Sequence, residues 1–129
     1  MVYHAKNKVL ITGIDSFTGR YMKSRLIDTG YEVYGTVHSH KPGFESDLVC
    51  NISHKDKIDE IIKKVQPHYV IHLAAISYVP QGTDLSVYQT NLFGTLNLLG
   101  AINKYATNIS KIIISNIFIT LYIISRKNF

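Results

Sequence analysis

The chain has 129 residues, which ordinary domain sizes assign to a single domain, and 46% of them are hydrophobic, enough for a buried core. Its net charge of +5 comes from dispersed Lys and Arg residues. This dispersal argues against a nucleic-acid partner and leaves attraction of a phosphate-bearing ligand open. The single Cys50 excludes an internal disulfide bond. Since no signal peptide is visible, we expect a cytoplasmic protein with no membrane partner.

The first predicted strand is followed by a loop with two spaced glycines. Lys8–Thr12 predicts a buried strand, and Gly13 and Gly19 precede a helix that we place at Arg20–Thr29. Gly13 permits a tight turn, Gly19 allows close packing of the helix, and bare amides at the helix start favour a pyrophosphate. Ser16 replaces the usual middle glycine, so its Cβ stands where a phosphate would approach. The loop alone is equally consistent with a turn that binds no ligand.

A second strand, a short third strand and a second helix come next. Glu32–Val37 is rich in Val, Tyr and Thr and predicts the second strand, and Asp47–Cys50 predicts the third. In the second helix, Ser53 and Asp56 resemble a capping pair, and Pro67 ends the helix. The apolar residues on one face of this helix are Ile58, Ile61, Ile62 and Val65.

Two further strands flank a long helix. Tyr69–Ala75 and Lys111–Ser115 predict the fourth and fifth strands, and Asp84–Tyr105 predicts the helix between them. The apolar residues near helical spacing in this helix are Tyr88, Leu92, Leu96, Leu99 and Ile102.

The alternation of strands and helices predicts parallel pairing through right-handed crossovers. The nearly continuous apolar strands fit a sheet that is covered on both faces. We therefore predict an α/β fold with a Rossmann-type, doubly wound parallel sheet in the order 3-2-1-4-5, truncated after the fifth strand. A ligand would bind at the carboxyl ends of strands 1 and 4, where the winding reverses.

Residues 116–129 form an atypical apolar tail after a domain of residues 1–115. The stretch Ile112–Ile124 has no turn signal or helical period and is shorter than the roughly 20 residues of a membrane span. Its β-branched and aromatic residues suit a strand or an aggregation-prone edge. We expect no sixth strand. The fifth strand would then be an edge that the tail covers, or through which the chain self-associates.

Four motifs occur at intervals that resemble the extended short-chain dehydrogenase/reductase family. They are Thr12-Gly13-x-x-Ser16-Phe17-x-Gly19, His72-Leu73-Ala74-Ala75, Ser77-Tyr78-Val79 and Asn91-Leu92-Phe93-Gly94-Thr95-Leu96-Asn97-Leu98-Leu99. Within this family, the chain is similar to nucleotide-sugar enzymes of the GDP-mannose 4,6-dehydratase and 4-keto-6-deoxy-sugar reductase type. The likeness covers about residues 8–115, implies an incomplete NAD(P)-binding Rossmann domain there, and is more specific than the glycine loop alone.

The resemblance implies a cofactor site and a nearby substrate site. Its cofactor residues are Gly13, Ser16, Phe17 and Gly19 around the pyrophosphate, His38 near the adenosine ribose, Asn51 and Ile52 beside the adenine, and Leu73, Ala74 and Ala75 beside the nicotinamide ribose. Asn51 stands where relatives often carry Asp, which weakens the expected contact with adenine. Asn91 would help to hold the active-site backbone, and Ser77 and Tyr78 would lie near the nucleotide sugar.

The charge at the end of the second strand bears on the choice of cofactor. No Asp or Glu occurs from Val33 to Phe44, and the segment from His38 to Lys41, which would approach the ribose, is neutral or cationic. An acidic residue there would accept hydrogen bonds from the ribose of NAD and repel a 2′-phosphate. The cofactor is therefore expected to be NADP or NAD, with NADP slightly favoured.

The catalytic pair that the resemblance implies is missing from this chain. The family transfers hydride with Tyr-x-x-x-Lys, and none of the 9 tyrosines has Lys four positions on. Tyr21 and Tyr122 have Arg at that spacing, and arginine keeps its proton. Ile117 stands where a helper hydroxyl is expected. We therefore assign no catalytic residue and expect no turnover by this chain alone.

Three interpretations remain open. The first is the NAD(P)-binding portion of a nucleotide-sugar dehydratase, epimerase or reductase, with a nucleotide-sugar substrate and a homodimer formed through the long helix. The second is a non-catalytic dinucleotide-binding or partner-binding module. The third is an unrelated doubly wound domain in which the glycines are structural. No metal site is expected, since His38 and His40 lack further ligands nearby. His72 is expected to be a satisfied core histidine, and Cys50 a small buried hydrophobe.

Overall fold

The chain folds around one sheet with helices on both faces. The structure, a computed structural model, describes residues 5–74, 89–115 and 121–125. Its strands are β1 (Lys8–Thr12), β2 (Glu32–Val37), β3 (Leu48–Val49), β4 (Tyr69–His72), β5 (Lys111–Ser115) and β6 (Leu121–Ser125). Its helices are α1 (Phe17–Asp28), α2 (Lys55–Val65) and α3 (Gly94–Tyr105), the last preceded by a π-helical turn at Gln89–Phe93.

The first five strands are parallel and lie in the order β3-β2-β1-β4-β5. β1 is central, pairing with β2 on one side and with β4 on the other. The predicted doubly wound order is therefore confirmed. The winding reverses between β1 and β4, which opens a crevice at their carboxyl ends.

The sheet does not end at β5, so the prediction that no sixth strand follows is wrong. β6 pairs antiparallel with β5, from Lys111 opposite Ser125 to Ser115 opposite Leu121. The apolar stretch Ile112–Ile124 thus forms parts of two neighbouring strands instead of one. The open hydrogen-bonding groups of β5 explain this outcome, because an apolar segment that turns back can satisfy them.

Two hydrophobic clusters lie on opposite faces of the sheet. α2 and α3 cover one face, whose buried residues are Leu10, Cys50, Ile52, Ile58, Ile61, Ile62, Val65, Val70, Leu98, Ala101, Ile102, Ile109 and Ile112. The other face carries α1, with buried residues Val9, Ile11, Ile14, Val37 and Ile71. The predicted apolar face of α2 is confirmed, since all four of its residues are buried.

The helix starts differ from the sequence predictions. α1 begins at Phe17, three residues earlier than expected, because Ser16 caps it. The predicted capping pair of the second helix is wrong. His54 is the N-cap of α2 without a side-chain hydrogen bond, and the Ser53 hydroxyl donates to the Asn51 side chain at 2.7 Å.

The buried face of α3 agrees with the predicted stripe at Ile102, and in part at Leu99, and differs from it elsewhere. Gly94, Leu98, Ala101 and Ile102 are buried, whereas Leu92 and Leu96 are about half exposed. Small residues allow α3 to approach its neighbours closely, and a count of large apolar side chains misses such a face. Tyr88 and the predicted helical residues before it lie outside the described residues.

Among the described residues, no helix is long and apolar enough to cross a membrane.

Candidate functional site

An open cleft of about 370 Å³ lies at the carboxyl ends of β1, β2 and β4. Its lining residues are Gly13, Asp15, Ser16, Thr36, His38, Lys41, Cys50, Ile52, Leu73 and Ala74. The volume falls within the range of small-molecule sites. The cleft is also where the sequence predicted a ligand, at the point where the winding reverses.

Gly13 turns the chain sharply at the end of β1. Its φ of +69° is a conformation that side chains disfavour, and a Cβ there would lie 2.8 Å from the Ala74 nitrogen. The amides of Gly13 and Ile14 both donate to the Thr36 carbonyl at 3.1 Å. The glycine loop is therefore hydrogen-bonded to β2 and packs closely against the segment after β4.

The start of α1 leaves two backbone amides available. Ser16 is the N-cap, and its hydroxyl oxygen accepts from the Gly19 amide at 3.0 Å. Among the described residues, no acceptor pairs with the amides of Phe17 and Thr18. Because such amides and the helix dipole favour negative charge, this end of α1 can accept an anion beside Ser16.

Gly19 explains how α1 comes so close to the loop. A Cβ at Gly19 would lie 2.6 Å from the Ile14 carbonyl oxygen, and 2.7 Å from that of Gly13. Any side chain would therefore push the helix away from the loop. Its role is to allow close packing, as predicted, and it does not line the cleft.

The β2 end of the cleft carries charge. Lys41 forms an ion pair with Asp15 of the glycine loop, and both residues line the cleft with Thr36 and His38. The pair joins the loop after β2 to the loop after β1.

A buried histidine links three segments behind the cleft. His72 is 2% exposed. Its Nδ1 lies 2.6 Å from the Thr12 hydroxyl, and its Nε2 lies 2.9 Å from the Thr95 hydroxyl. β1, β4 and α3 thus meet through one imidazole, which confirms the prediction of a satisfied core histidine.

The hydrogen bonds around His72 determine its tautomer. The Thr12 hydroxyl oxygen accepts hydrogen bonds from the amides of Leu73 at 3.1 Å and Ala74 at 3.2 Å, so the hydroxyl proton is directed to Nδ1 of His72. Nε2 therefore carries the imidazole proton and donates to Thr95, whose hydroxyl donates to the Asn91 carbonyl at 2.8 Å. Burial lowers the pKa of His72 from 6.5 to about 4, so the ring is neutral at physiological pH.

The apolar wall of the cleft includes Cys50 and Ile52. Burial raises the pKa of the Cys50 thiol to about 11, so the group stays protonated and acts as a small hydrophobe. Ile52 packs on the start of α3, where a Cβ at Gly94 would lie 2.7 Å from the Ile52 side chain.

The structure brings most of the predicted cofactor residues together. Those that line the cleft are Gly13, Ser16, His38, Ile52, Leu73 and Ala74. Phe17 does not line it and is 91% exposed. Ala75, Ser77 and Tyr78 lie outside the described residues.

Two predicted residues have other surroundings. The Asn51 side-chain oxygen accepts from the amide and hydroxyl of Ser53, at 3.0 and 2.7 Å, so it is already engaged in a local turn. Asn91 lies on the π-helical turn, and its carbonyl accepts from Thr95. Neither residue lines the cleft.

Asp15, Thr36 and Cys50 were not among the predicted site residues, and Lys41 was predicted only as the end of a range. Thr36 lies near the end of β2, two positions before His38, so strand periodicity alone could have placed both residues on the same side of the sheet. Asp15 lies between Gly13 and Ser16 in the glycine loop. Its contact with Lys41 joins positions 26 residues apart, and no local pattern indicates it.

Within the part of the chain that the structure describes, no group of three or more His, Cys, Asp or Glu side chains is placed to hold a metal ion.

Comparison with known proteins identifies relatives of this segment. The sequence profile of the NAD dependent epimerase/dehydratase family matches residues 9–116. GDP-mannose 4,6-dehydratase of Vibrio cholerae is 32% identical over 116 residues, a match covering 75% of this chain and 31% of that protein. The chain spans about a third of the length of the curated relatives it matches.

Solved structures share the fold. UDP-glucose 4-epimerase of Thermus thermophilus, solved in complex with NAD, has a TM-score of 0.69 and 26% identity, covering 81% of this chain and 36% of that one. Yeast methylglyoxal/isovaleraldehyde reductase Gre2, complexed with NADPH, has a TM-score of 0.72 over 83% of this chain and 36% of that one. At 21% identity, the second likeness concerns the fold alone.

Proposed function

Because the chain belongs to the NAD dependent epimerase/dehydratase family, we propose that it binds a nicotinamide dinucleotide in the cleft at the carboxyl ends of β1, β2 and β4. The observation that carries the proposal is the glycine loop. Gly13 leaves no room for a side chain against Ala74. Beside it, α1 begins with the amides of Phe17 and Thr18, for which the described residues supply no acceptor. A pyrophosphate is the part of the cofactor that such a loop suits.

The remaining lining fits the rest of the cofactor. Thr36, His38 and Lys41 offer polar groups at the β2 end, where the adenosine ribose would bind. Ile52 and Cys50 supply an apolar wall for the adenine, and Leu73 and Ala74 would border the nicotinamide ribose. The cofactor, when bound, supplies hydride transfer. NADP is slightly favoured over NAD in this proposal, because the loop after β2 carries Lys41 and no acidic residue before Phe44.

For the whole enzyme, we propose a nucleotide-sugar substrate and a dehydratase, epimerase or reductase reaction. The resemblance to GDP-mannose 4,6-dehydratase supports this class. These 129 residues contain no Tyr-x-x-x-Lys, so they would bind the cofactor without turnover on their own.

The proposal also includes a homodimer formed through the long helix. Leu92 and Phe93 on the π-helical turn and Leu96 on α3 are each about half exposed, and neighbouring exposed apolar side chains of this kind mark interaction surfaces. Pairing of two chains would remove these side chains from water.

A titration of the purified chain with NADH and with NADPH tests cofactor binding. Gly13→Ala adds a Cβ against the Ala74 backbone at a φ of +69°, and we expect it to weaken binding by about tenfold or more. Gly30→Ala is the matched control. It carries a similar cost at a φ of +97°, with no atom within 4 Å of the new Cβ, so binding should be retained.

Thermal unfolding of both variants separates binding from folding. If neither cofactor binds the wild-type chain, or if the two alanine variants bind equally well, the cleft is not the dinucleotide site.

A further inference from the structure

One ion pair joins the two loops that form the β2 end of the cleft. Asp15 lies in the glycine loop, Lys41 lies in the loop after β2, and the ammonium of Lys41 pairs with the Asp15 carboxylate. Both residues line the cleft. The Lys41 side chain is 48% exposed and that of Asp15 14%, so the lysine charge is accessible to a ligand although it is already paired.

Other contacts hold the loop after β2 against the start of α1. The Arg20 Nε donates to the Asp15 carbonyl at 3.1 Å, and its guanidinium lies 5.2 Å from the centre of the Phe44 ring. Further along, Lys23 lies 4.0 Å from Asp47. The loop therefore presents Lys41 from a docked position, and the pairing with Asp15 follows from the packing of this corner.

Lys41 is the one Lys or Arg among the described residues that line the cleft. A 2′-phosphate on a dinucleotide bound at the β2 end would interact favourably with the Lys41 ammonium, but this ammonium is already paired with the Asp15 carboxylate. A cofactor without this phosphate has no such competition.

We propose that Asp15 is a specificity-determining residue, whose carboxylate holds Lys41 and thereby reduces the preference for a dinucleotide with a 2′-phosphate. The inference rests on the proposed binding of a nicotinamide dinucleotide in this cleft. It assigns the choice between the two cofactors to a competition for one lysine. The acidic competitor belongs to the glycine loop and not to the end of β2.

The test is a set of dissociation constants for NADPH and NADH. Asp15→Asn keeps the shape of the side chain and removes its charge. It should raise the affinity ratio for NADPH over NADH by about two- to fivefold, the size of an exposed ion pair. Lys41→Gln should lower the same ratio. Asp15→Asn added to Lys41→Gln should have no further effect, since the carboxylate acts through the lysine.

Glu45→Gln is the matched control. It removes one negative charge from the same loop, and it lies outside the cleft lining, accepting a hydrogen bond from the Gly43 amide. Its ratio should equal that of the wild type.

Three results would overturn the inference. If the NADPH-to-NADH affinity ratio of Asp15→Asn equals that of the wild type, this inference fails and the proposed function is unaffected. The same shift in the Lys41→Gln background means that the carboxylate repels the phosphate directly and does not act by holding the lysine. If no form of the chain binds either cofactor, the proposed function fails and the inference fails with it.

Discussion

The neutral imidazole of His72 makes stability depend on pH. Its pKa in the folded chain is about 4, against 6.5 for an ordinary histidine, because burial disfavours the charged ring. Below pH 6.5 the unfolded chain takes up a proton at this position that the folded chain does not bind. The free energy of unfolding is therefore not reduced by this group above pH 6.5, and it falls as the pH is lowered from 6.5 toward 4.

We expect replacement of His72 by Asn to remove this dependence. Between pH 6.5 and 4, the free energy of unfolding of the wild type should fall by about 3 kcal/mol more than that of His72→Asn. Urea unfolding at a series of pH values measures the difference. His54→Asn, which changes an exposed histidine at the start of α2, should keep the wild-type slope. Parallel curves for wild type and His72→Asn would contradict the assignment of the buried neutral ring.

At this scale, the sequence predicts residues whose role depends on backbone geometry. Gly13 and Gly19 stand where a Cβ would collide with the neighbouring chain, and their spacing in the sequence reflects that constraint. The pairing of Asp15 with Lys41 could not be predicted, because it depends on how the loop after β2 docks. His72 is intermediate, since its apolar strand indicated burial and only the structure identifies Thr12 and Thr95 as its partners.

Among the elements, the start of α3 is packed closely against the apolar wall of the cleft. Gly94 faces Ile52 across a gap that a Cβ would close to 2.7 Å. The Asn97 side chain donates to the carbonyls of Ile52 and Ser53, at 3.2 and 3.3 Å. The helix therefore fixes the backbone that carries Ile52 into the cleft lining.

Two glycines of α3 offer a matched pair of substitutions. Gly100→Ala places its Cβ in open space and should raise the free energy of unfolding by about 1 kcal/mol, through helix propensity. Gly94→Ala gains the same propensity but must displace Ile52. Since overpacking costs about 1–3 kcal/mol, it should be less stable than Gly100→Ala by that amount. Chemical denaturation measures the free energy of unfolding of both variants. Equal values would show that the Ile52 side chain moves aside at no measurable cost.

The positions of the helices and strands were largely predictable from the sequence. Which residues of each helix are buried was less predictable. The apolar face of α2 was predicted correctly because its buried apolar side chains are large and regularly spaced. The apolar face of α3 was predicted only in part: Ile102 is buried as expected, but Gly94 and Ala101 also contribute to the buried face. A π-helical turn at Gln89–Phe93 also shifts the phase of the preceding turn relative to an α-helix, so a stripe drawn through Leu92 fails.

For the molecule as a whole, β6 decides whether the sheet has an open apolar edge. β5 pairs with β6 along all five of its residues, and β5 carries the sequence Lys-Ile-Ile-Ile-Ser. Without β6, this strand would present unpaired amides and carbonyls beside isoleucine side chains. Such an edge is a site of intermolecular pairing.

Removal of residues 116–129 should therefore cause self-association. We expect light scattering or sedimentation to find larger species in the shortened chain than in the full chain at equal concentration. Removal of residues 126–129 alone is the control, because it retains β6 and should match the full chain. A shortened chain with an unchanged size distribution would mean that β5 needs no cover.

The parallel part of the sheet followed from the alternation of strand and helix patterns, which restricts the chain to few topologies. The sixth strand could not be predicted in this way, because the sequence between Ile112 and Ile124 contains no turn signal. Its pairing is determined by the vacant edge of β5, which is a property of the assembled sheet and not of the local sequence.

The antiparallel direction of β6 has a geometric consequence for what comes after it. Since Ser125 lies opposite Lys111, β6 ends at the rim of the sheet where β1 and β4 begin. That rim is separated from Gly13 by the height of the sheet, roughly 16 Å for a five-residue strand. A parallel strand would have returned the backbone to the mouth of the cleft. Any group attached directly behind Ser125 therefore starts on the remote side and needs a further excursion to reach a bound dinucleotide.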